Sequence, residues 1–290
     1  MFYILSLLCG LLIAVQVVLN GFLSQEHGLF FSIVIIHVLA LLLISVIIFF
    51  KRERPFSNRQ CWFLYLGGAI GVMTIYFSNI AFARISVSAI LALSLFGQSL
   101  AGLFIDQYGW LGMPKQSFRK HRIIGLLLVL GGIVVMVDSF EKLAVTLAFF
   151  AGVVVIIART LNAKLAELTT VRISAFFNFL VSLIIALMAL LLFGRNEVLL
   201  SQTVISAELY IYFGGLVGVS IILITNIIVR KIPGFYLSLL LFIGQVFTGI
   251  LLDALIDRTF TLNILLGGSL VAVGLCIDLL LVKKKQLQAL

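Results

Sequence analysis

Long apolar runs follow one another along the whole chain and are separated by short polar segments. Each run is about 20 residues long, which is the length that crosses a hydrocarbon core of ~30 Å as a helix. Helix is the expected state because lipid offers no water to unpaired backbone groups, and because the runs lack the alternation of outer-membrane barrels. The pattern predicts ten transmembrane helices, over residues 2–23, 31–50, 61–83, 86–105, 123–137, 143–164, 173–193, 209–229, 233–252 and 262–282.

The composition agrees with a membrane protein. Of the 290 residues, 63% are hydrophobic and only 11% are charged, which leaves too few polar side chains to cover a soluble domain of this size. No Lys or Arg precedes the first apolar run and no small-residue cleavage site follows it, so we expect a retained span and not a signal peptide. Cys9, Cys61 and Cys276 are widely separated, and we expect inert core thiols.

The net charge of +9 is distributed unevenly. If the N-terminus is cytoplasmic, the inner segments hold most of the 20 Lys and Arg, including "KRER" from Lys51 and "KKK" from Lys283. The outer loops then hold only Arg84, Lys142, Arg195 and Arg258. This asymmetry predicts that both termini are cytoplasmic. The basic runs are interpreted as topology signals and contacts for anionic membrane lipids, and no nucleic-acid partner is expected.

Several sequence features occur twice at a constant separation. "GQSLAGLFIDQYG" from Gly97 and "GQVFTGILLDALID" from Gly244 both place Gly-Gln eight residues before an aspartate. "YLGGAIG" from Tyr65 and "YFGGLVG" from Tyr212 are separated by the same number of residues. The chain is therefore interpreted as a duplication.

The duplication predicts a first five-helix repeat over residues 1–140 and a second over 141–290. Because each copy has an odd number of spans, the second copy has the opposite orientation in the membrane. Inverted repeats are typical of secondary transporters, which alternate access to a site near the midplane. A duplication that persists as a relic without transport is the alternative.

The motifs of the first half resemble a known family. Gly10, Gln16 and Asn20, the "YLGG" segment, and "GQSLAGLFIDQYGWLGMP" followed by "RIIGLLLVLGGIVVMV" resemble the YdcZ-like branch of the drug/metabolite transporter superfamily. The second half resembles a diverged copy, in which Ala158 replaces the counterpart of Gln16. The resemblance implies an all-α fold of ten transmembrane helices in two inverted repeats, with spans one, three, four, six, eight and nine around a cavity. It also implies a bacterial inner-membrane exporter.

Polar side chains inside the spans are the candidate substrate-binding residues, because a polar group in hydrocarbon needs a partner. At ~1.5 Å per residue, Gln98 and Gln245 lie about 18 Å into their spans, near the midplane. Hydrogen bonds between helices are the alternative role for each of these residues. The outer approach would be lined by Gln16, Asn20 and Asn79, and the inner approach by Arg159, Asn162 and Asn226.

Four ionisable residues have more than one interpretation. Arg159, well inside a span, reaches the nearby helix end, takes part in a structural pair, or binds an anionic or carboxylate-bearing substrate, since a mid-bilayer arginine costs ~2.5–3.5 kcal/mol. His37 is either a coupling residue or an ordinary hydrogen-bonding residue. Asp106 and Asp253, at the C-terminal ends of spans, are either gate residues or members of ordinary surface pairs.

The absence of other motifs restricts the function. No acidic residue lies deep in a span, which disfavours a proton-coupled exporter of bulky cations, and no nucleotide-binding or metalloprotease motif occurs. We therefore expect a secondary transporter of a small polar or amphipathic metabolite, acting without a cofactor and not as an enzyme. A lipid flippase and a non-transporting membrane subunit are the alternatives. Substrate, coupling ion, direction and oligomeric state, including a homodimer, are left open.

Overall fold

The computed structural model describes residues 1–57, 59–110, 122–136, 141–200, 208–228, 231, 234–256, 265–271 and 273–274. Within these ranges the chain is helical and connected by short turns. The helices are α1 (Phe2–His27), α2 (Leu29–Phe50), α3 (Leu66–Phe82), α4 (Val87–Tyr108), α5 (Arg122–Met136), α6 (Lys142–Leu168), α7 (Val171–Phe193), α8 (Arg195–Leu200), α9 (Gly214–Ile228) and α10 (Gly234–Leu255).

Seven helical segments among the described residues are long and apolar enough to cross a membrane. They are α1, α2, α3, α4, α6, α7 and α9, where α3 and α9 are each extended at their start by a short 3-10 helix, Trp62–Tyr65 and Leu209–Phe213. Of the other three predicted spans, α5 lies in the fifth, α10 with its shorter apolar stretch Leu240–Leu255 lies in the ninth, and the described helical residues 265–271 and 273–274 lie in the tenth. The surface agrees with a lipid environment, because large apolar side chains such as Phe49 (78% exposed) and Leu192 (73% exposed) lie on it.

Glycines set the closest helix contacts. A Cβ at Gly10 of α1 would overlap the carbonyl oxygen of Leu241 in α10, and a Cβ at Gly152 of α6 would overlap that of Ser94 in α4. Small residues allow backbones to approach closely in lipid, where there is no hydrophobic driving force between helices. Consequently α1 packs along α10 and α6 packs along α4.

The helix contacts of the two halves are equivalent. α3 packs on α6 and α7, as α9 packs on α1 and α2, while α2 packs on α7 and α4 on α10. Exchanging α1, α2, α3 and α4 for α6, α7, α9 and α10 leaves this set of neighbours unchanged. The two halves therefore meet through matched surfaces, and the space between them is bordered by helices of both.

Carboxylates bind the N-terminal ends of two helices, where backbone N–H groups lack partners within the helix. Glu197 accepts hydrogen bonds from the backbone N–H groups of Leu29, Phe30 and Phe31, at 3.1, 2.7 and 3.0 Å, at the start of α2. Gly28, between α1 and α2, has φ 86°, and a Cβ there would meet the Glu197 carboxyl group at 2.6 Å. The turn thus requires glycine both for its conformation and for the space that Glu197 occupies.

Asp253 acts in the same way at another helix start, whereas Glu53 binds side chains at the start of α7. Asp253 of α10 accepts from the backbone N–H groups of Val87 and Ser88, at 2.7 and 2.9 Å, at the start of α4. Glu53 accepts from the Thr170 hydroxyl at 2.8 Å and from Arg172 at the start of α7. Asp253 is only 1% exposed. The expected surface pair is therefore wrong for Asp253, which is a buried cap between two helices.

Two further sequence expectations concern single residues. Cys9 is buried as expected, but Cys61 is exposed and is not a core thiol, because it precedes the 3-10 helix Trp62–Tyr65 and lies outside the packed spans. Cys276 and the side chain of Asp106 lie outside the described residues.

Candidate functional site

A cavity of about 150 Å³, whose lining is mostly apolar but includes several polar side chains, lies between the two halves. Its walls come from α1, α2 and α3 on one side and from α6, α7 and α9 on the other. The volume is comparable to that of an engineered apolar cavity of about 150 Å³ that binds benzene. The polar residues of its lining are Gln16, His37, Thr74, Arg159, Asn162, Asn178, Ser182, Thr225 and Asn226.

Arg159 of α6 contributes the positive charge of this lining. Its Nη1 donates a hydrogen bond to Oε1 of Gln98 in α4 at 3.2 Å. No carboxylate among the described residues lies within salt-bridge distance of Arg159; the described pairs are Arg84–Glu141, Lys164–Glu167 and Arg172–Glu53. The guanidinium group therefore faces the cavity and a neutral amide, and it does not extend to the end of its helix.

Amide and hydroxyl groups of α6 and α7 form a hydrogen-bonded wall. Nδ2 of Asn162 donates to Oδ1 of Asn178 at 2.7 Å, and the Ser174 hydroxyl donates to the backbone oxygen of Asn162 at 2.7 Å. The Ser182 hydroxyl donates to the backbone oxygen of Gly68 in α3 at 2.8 Å. These bonds hold α3, α6 and α7 together at the cavity.

Asn178 is a cavity residue that sequence reasoning missed. Ser174, Asn178 and Ser182 are each four residues apart, so they share one face of α7, and this spacing in an otherwise apolar span was a usable signal. Thr74 and Thr225 also line the cavity without having been predicted. Threonine is common in apolar helices, where its hydroxyl bonds to the preceding turn, so these two carried little signal.

Gln16 of α1 lines the cavity from the other half. Its Nε2 donates to the backbone oxygen of Gly214 at 3.2 Å, at the start of α9. In the second half, the sequence position equivalent to Gln16 is Ala158 of α6. The position of α2 equivalent to Asn178 is Ile36. Gly68 packs on the backbone oxygen of Asn178, and Gly215 packs in the same way on that of Ile36. The matched halves therefore present different amides, and the cavity is chemically asymmetric.

His37 of α2 is 2% exposed and also lines the cavity. Its Nδ1 lies 2.7 Å from the backbone oxygen of Ile33, so Nδ1 carries the proton that is donated in this bond. The imidazole ring packs against Phe179 of α7, with ring centroids 6.2 Å apart. His37 thus sits where α2 and α7 meet.

Two buried polar atoms of the lining have no hydrogen-bond partner among the described residues: Oγ1 of Thr74 and Nδ2 of Asn226. Buried polar groups are nearly always hydrogen-bonded, so such atoms in a cavity wall call for an explanation. Asn20 and Asn79 also carry an unpartnered atom, Oδ1 and Nδ2 respectively, but they lie outside the lining.

The predicted site residues are thus divided. The structure brings Gln16, Arg159, Asn162 and Asn226 together with His37 in one cavity, whereas Asn20, Asn79, Gln98, Gln245 and Asp253 are not part of its described lining. Gln98 reaches the cavity only through its bond to Arg159, and Gln245 is 2% exposed within α10.

The helices around the cavity differ from the set that the resemblance implied. α2 and α7 line it, while no described residue of α4 or α10 does. The reason is the close packing of those two helices: Gly97 of α4 meets the backbone oxygen of Phe149, and Gly244 of α10 meets that of Leu7. At these glycines no gap separates α4 from α6 or α10 from α1, and the described side chains of α4 and α10 do not border the open space.

Known proteins resemble this chain in sequence and in fold. The profile of the family DMT_YdcZ, described as "Putative inner membrane exporter, YdcZ", matches residues 1–135 and 143–277. A solved structure described only as "Crystal structure of protein" has a TM-score of 0.67, with 15% sequence identity over 98% of this chain and 96% of that chain. At this identity the likeness shows a common fold alone. No curated protein matches the chain.

Proposed function

Because the chain belongs to the DMT_YdcZ family, whose description is that of an inner membrane exporter, we propose that it exports a small polar or amphipathic metabolite by alternating access. It is a multi-pass protein of the inner membrane. The observation that carries the proposal is the cavity between the two halves, lined in part by Gln16, Arg159, Asn162 and Asn226.

The mechanism rests on two inverted five-helix repeats, residues 1–140 and 141–290, with ten spans in total. The two-part family match and the equivalent contacts of the two halves support this arrangement. A site between two such halves becomes accessible from either face when one half rocks against the other. The excess of Lys and Arg in alternate loops supports cytoplasmic termini.

The size of the cavity favours a metabolite over a lipid headgroup. A volume of about 150 Å³ suits a molecule close to benzene in size, whereas a headgroup with its glycerol is larger. The lining amides and Arg159 lose hydrogen bonds to water when they are buried, which is unfavourable. A bound polar molecule restores such bonds, whereas a lipid tail does not.

Cysteine accessibility tests alternating access without knowledge of the substrate. The background is a variant without native cysteines, Cys9→Ala, Cys61→Ser and Cys276→Ser. Thr74→Cys in α3 and Thr225→Cys in α9 then place one thiol in the lining from each half. Right-side-out and inside-out vesicles are treated with a small charged methanethiosulfonate. We expect each cavity thiol to react from both faces.

The matched control is Met188→Cys, on the outer surface of α7, where the side chain is 56% exposed and faces lipid in the proposed topology. This thiol should resist the charged reagent in both kinds of vesicle. Reaction of the cavity thiols from one face only, in intact vesicles with a folded variant, would contradict alternating access.

A further inference from the structure

From the charge and donors of the cavity we infer that its substrate is a small monocarboxylate, whose carboxylate pairs with Arg159. This inference rests on the proposed function, because it names the substrate class of that transporter. It goes beyond a general polar metabolite and excludes cations and neutral molecules as the preferred ligands.

The first argument is the charge balance of the lining. Arg159 brings one positive charge, and no described lining residue is a carboxylate. The described carboxylates Glu197 and Asp253 bind the starts of α2 and α4 instead. A half-buried arginine within a span is costly without a counterion, and a bound anion reduces that cost. One charge is balanced by a monoanion, while a phosphate monoester carries about −1.5 to −2 at neutral pH and overcompensates it.

The second argument is the weakness of the present partner of Arg159. The Nη1 to Gln98 Oε1 distance is 3.2 Å, whereas arginine–carboxylate bonds are about 2.7–2.9 Å and are often bidentate. Arginine has five N–H donors and Gln98 accepts from one nitrogen. The guanidinium fork therefore has donors left for a ligand.

The third argument is the excess of donors in the wall. The unpartnered Nδ2 of Asn226 is a donor, and the unpartnered hydroxyl of Thr74 can donate. Both residues line the same cavity as Arg159, but the two atoms themselves are buried in its wall and must turn toward the space to meet a ligand. A carboxylate accepts through two oxygens and donates nothing, so it is the complement of this wall.

Matched ligands of different charge test the inference on the purified full-length protein. The panel consists of monocarboxylates of up to about ten non-hydrogen atoms, such as propionate and benzoate, the size limit following from the cavity. Each acid is paired with its amide and its amine. Dissociation constants follow from the concentration dependence of the unfolding midpoint at constant ionic strength. We expect at least one carboxylate to bind tenfold or more tightly than both its amide and its amine.

Variants of Arg159 test whether this residue causes the preference for the carboxylate. Arg159→Gln should reduce the preference for the acid over its amide to within about twofold, because the charge-assisted bonds are lost. The matched control, Arg84→Gln, removes an equal charge from an exposed pair with Glu141 and should keep the parent preference. If Arg159→Gln does not fold, Arg159→Lys serves instead, because it retains the charge but not the planar guanidinium group. This variant should bind the acid more weakly than the parent does, and still more tightly than it binds the amide.

Three outcomes overturn the inference: no carboxylate exceeds its amide in the parent protein, an amine binds best, or the preference persists in Arg159→Gln. These outcomes are separate from failure of the proposed function. Carboxylate binding with a cavity that opens to one face only would refute transport and leave the ligand class intact. A cavity that opens to both faces but prefers amines would refute the ligand class and leave transport intact.

Discussion

Asp253→Ala is expected to destabilise the protein by about 2–6 kcal/mol, because it leaves two buried backbone donors unsatisfied at about 1–3 kcal/mol each. The Asp253 carboxylate accepts three hydrogen bonds, from the Val87 and Ser88 backbone N–H groups at 2.7 and 2.9 Å and from the Ser88 hydroxyl at 2.6 Å. Bonds to a charged group contribute about 1.5–3 kcal/mol each, before the cost of burying the carboxylate is deducted. The alanine variant leaves two buried backbone donors at the start of α4 without this acceptor.

Asp253→Asn separates charge from shape. It retains one acceptor oxygen but places an NH2 group against another donor, so we expect about half the effect of alanine, ~1–3 kcal/mol. The matched control is Glu141→Gln, which removes a carboxylate from an exposed pair with Arg84 and should cost less than ~1 kcal/mol.

The assay is reversible unfolding in mixed micelles with increasing sodium dodecyl sulfate, followed by tryptophan fluorescence and far-ultraviolet circular dichroism. Free energies of unfolding are compared at the same detergent fraction. If Asp253→Ala fell within ~1 kcal/mol of the parent and matched Glu141→Gln, the cap would not be the stabilising contact between α10 and α4 that its geometry indicates.

Three other substitutions test separate features. Gly152→Ala should destabilise by ~1–3 kcal/mol, because its Cβ would overlap the Ser94 carbonyl oxygen, whereas Gly102→Ala, with open space around it, should be neutral in the same unfolding assay. Glu197→Gln should destabilise by ~1–2 kcal/mol through its bonds at the start of α2, and an unchanged free energy would contradict this capping role. Thr74→Val should leave the protein at least as stable as the parent, since it removes a buried hydroxyl that has no described partner, yet weaken carboxylate binding severalfold; equal affinity would exclude Thr74 from the site.

The helices were largely predictable because their cause is local. A run of about 20 apolar residues is stable in lipid only as a helix, whatever its neighbours are. The ends were less predictable: α1 extends to His27 and α6 to Leu168, past the apolar runs, since polar residues can continue a helix into the interface. The 3-10 helices before α3 and α9 were also not anticipated.

The candidate site was predictable only in part. Gln16, Arg159, Asn162 and Asn226 were singled out as polar groups within spans, and they share a cavity with His37. Gln98 and Gln245 met the same criterion but do not line it, because the glycines beside them bring α4 and α10 into contact with α6 and α1. Asn178 was overlooked because α7 was expected to lie away from the cavity.

The sequence by itself determined that this is a helical membrane protein of the YdcZ family and which spans carry polar side chains, because hydrophobic length and repeated motifs are local properties of the chain. Only the tertiary structure decided which of those side chains meet. Backbone contacts at Gly10 and Gly244 hold α1 against α10, and contacts at Gly97 and Gly152 hold α4 against α6. The cavity therefore lies among α1, α2, α3, α6, α7 and α9. Which helix pairs close depends on packing between residues far apart in the chain, and no single span contains that information.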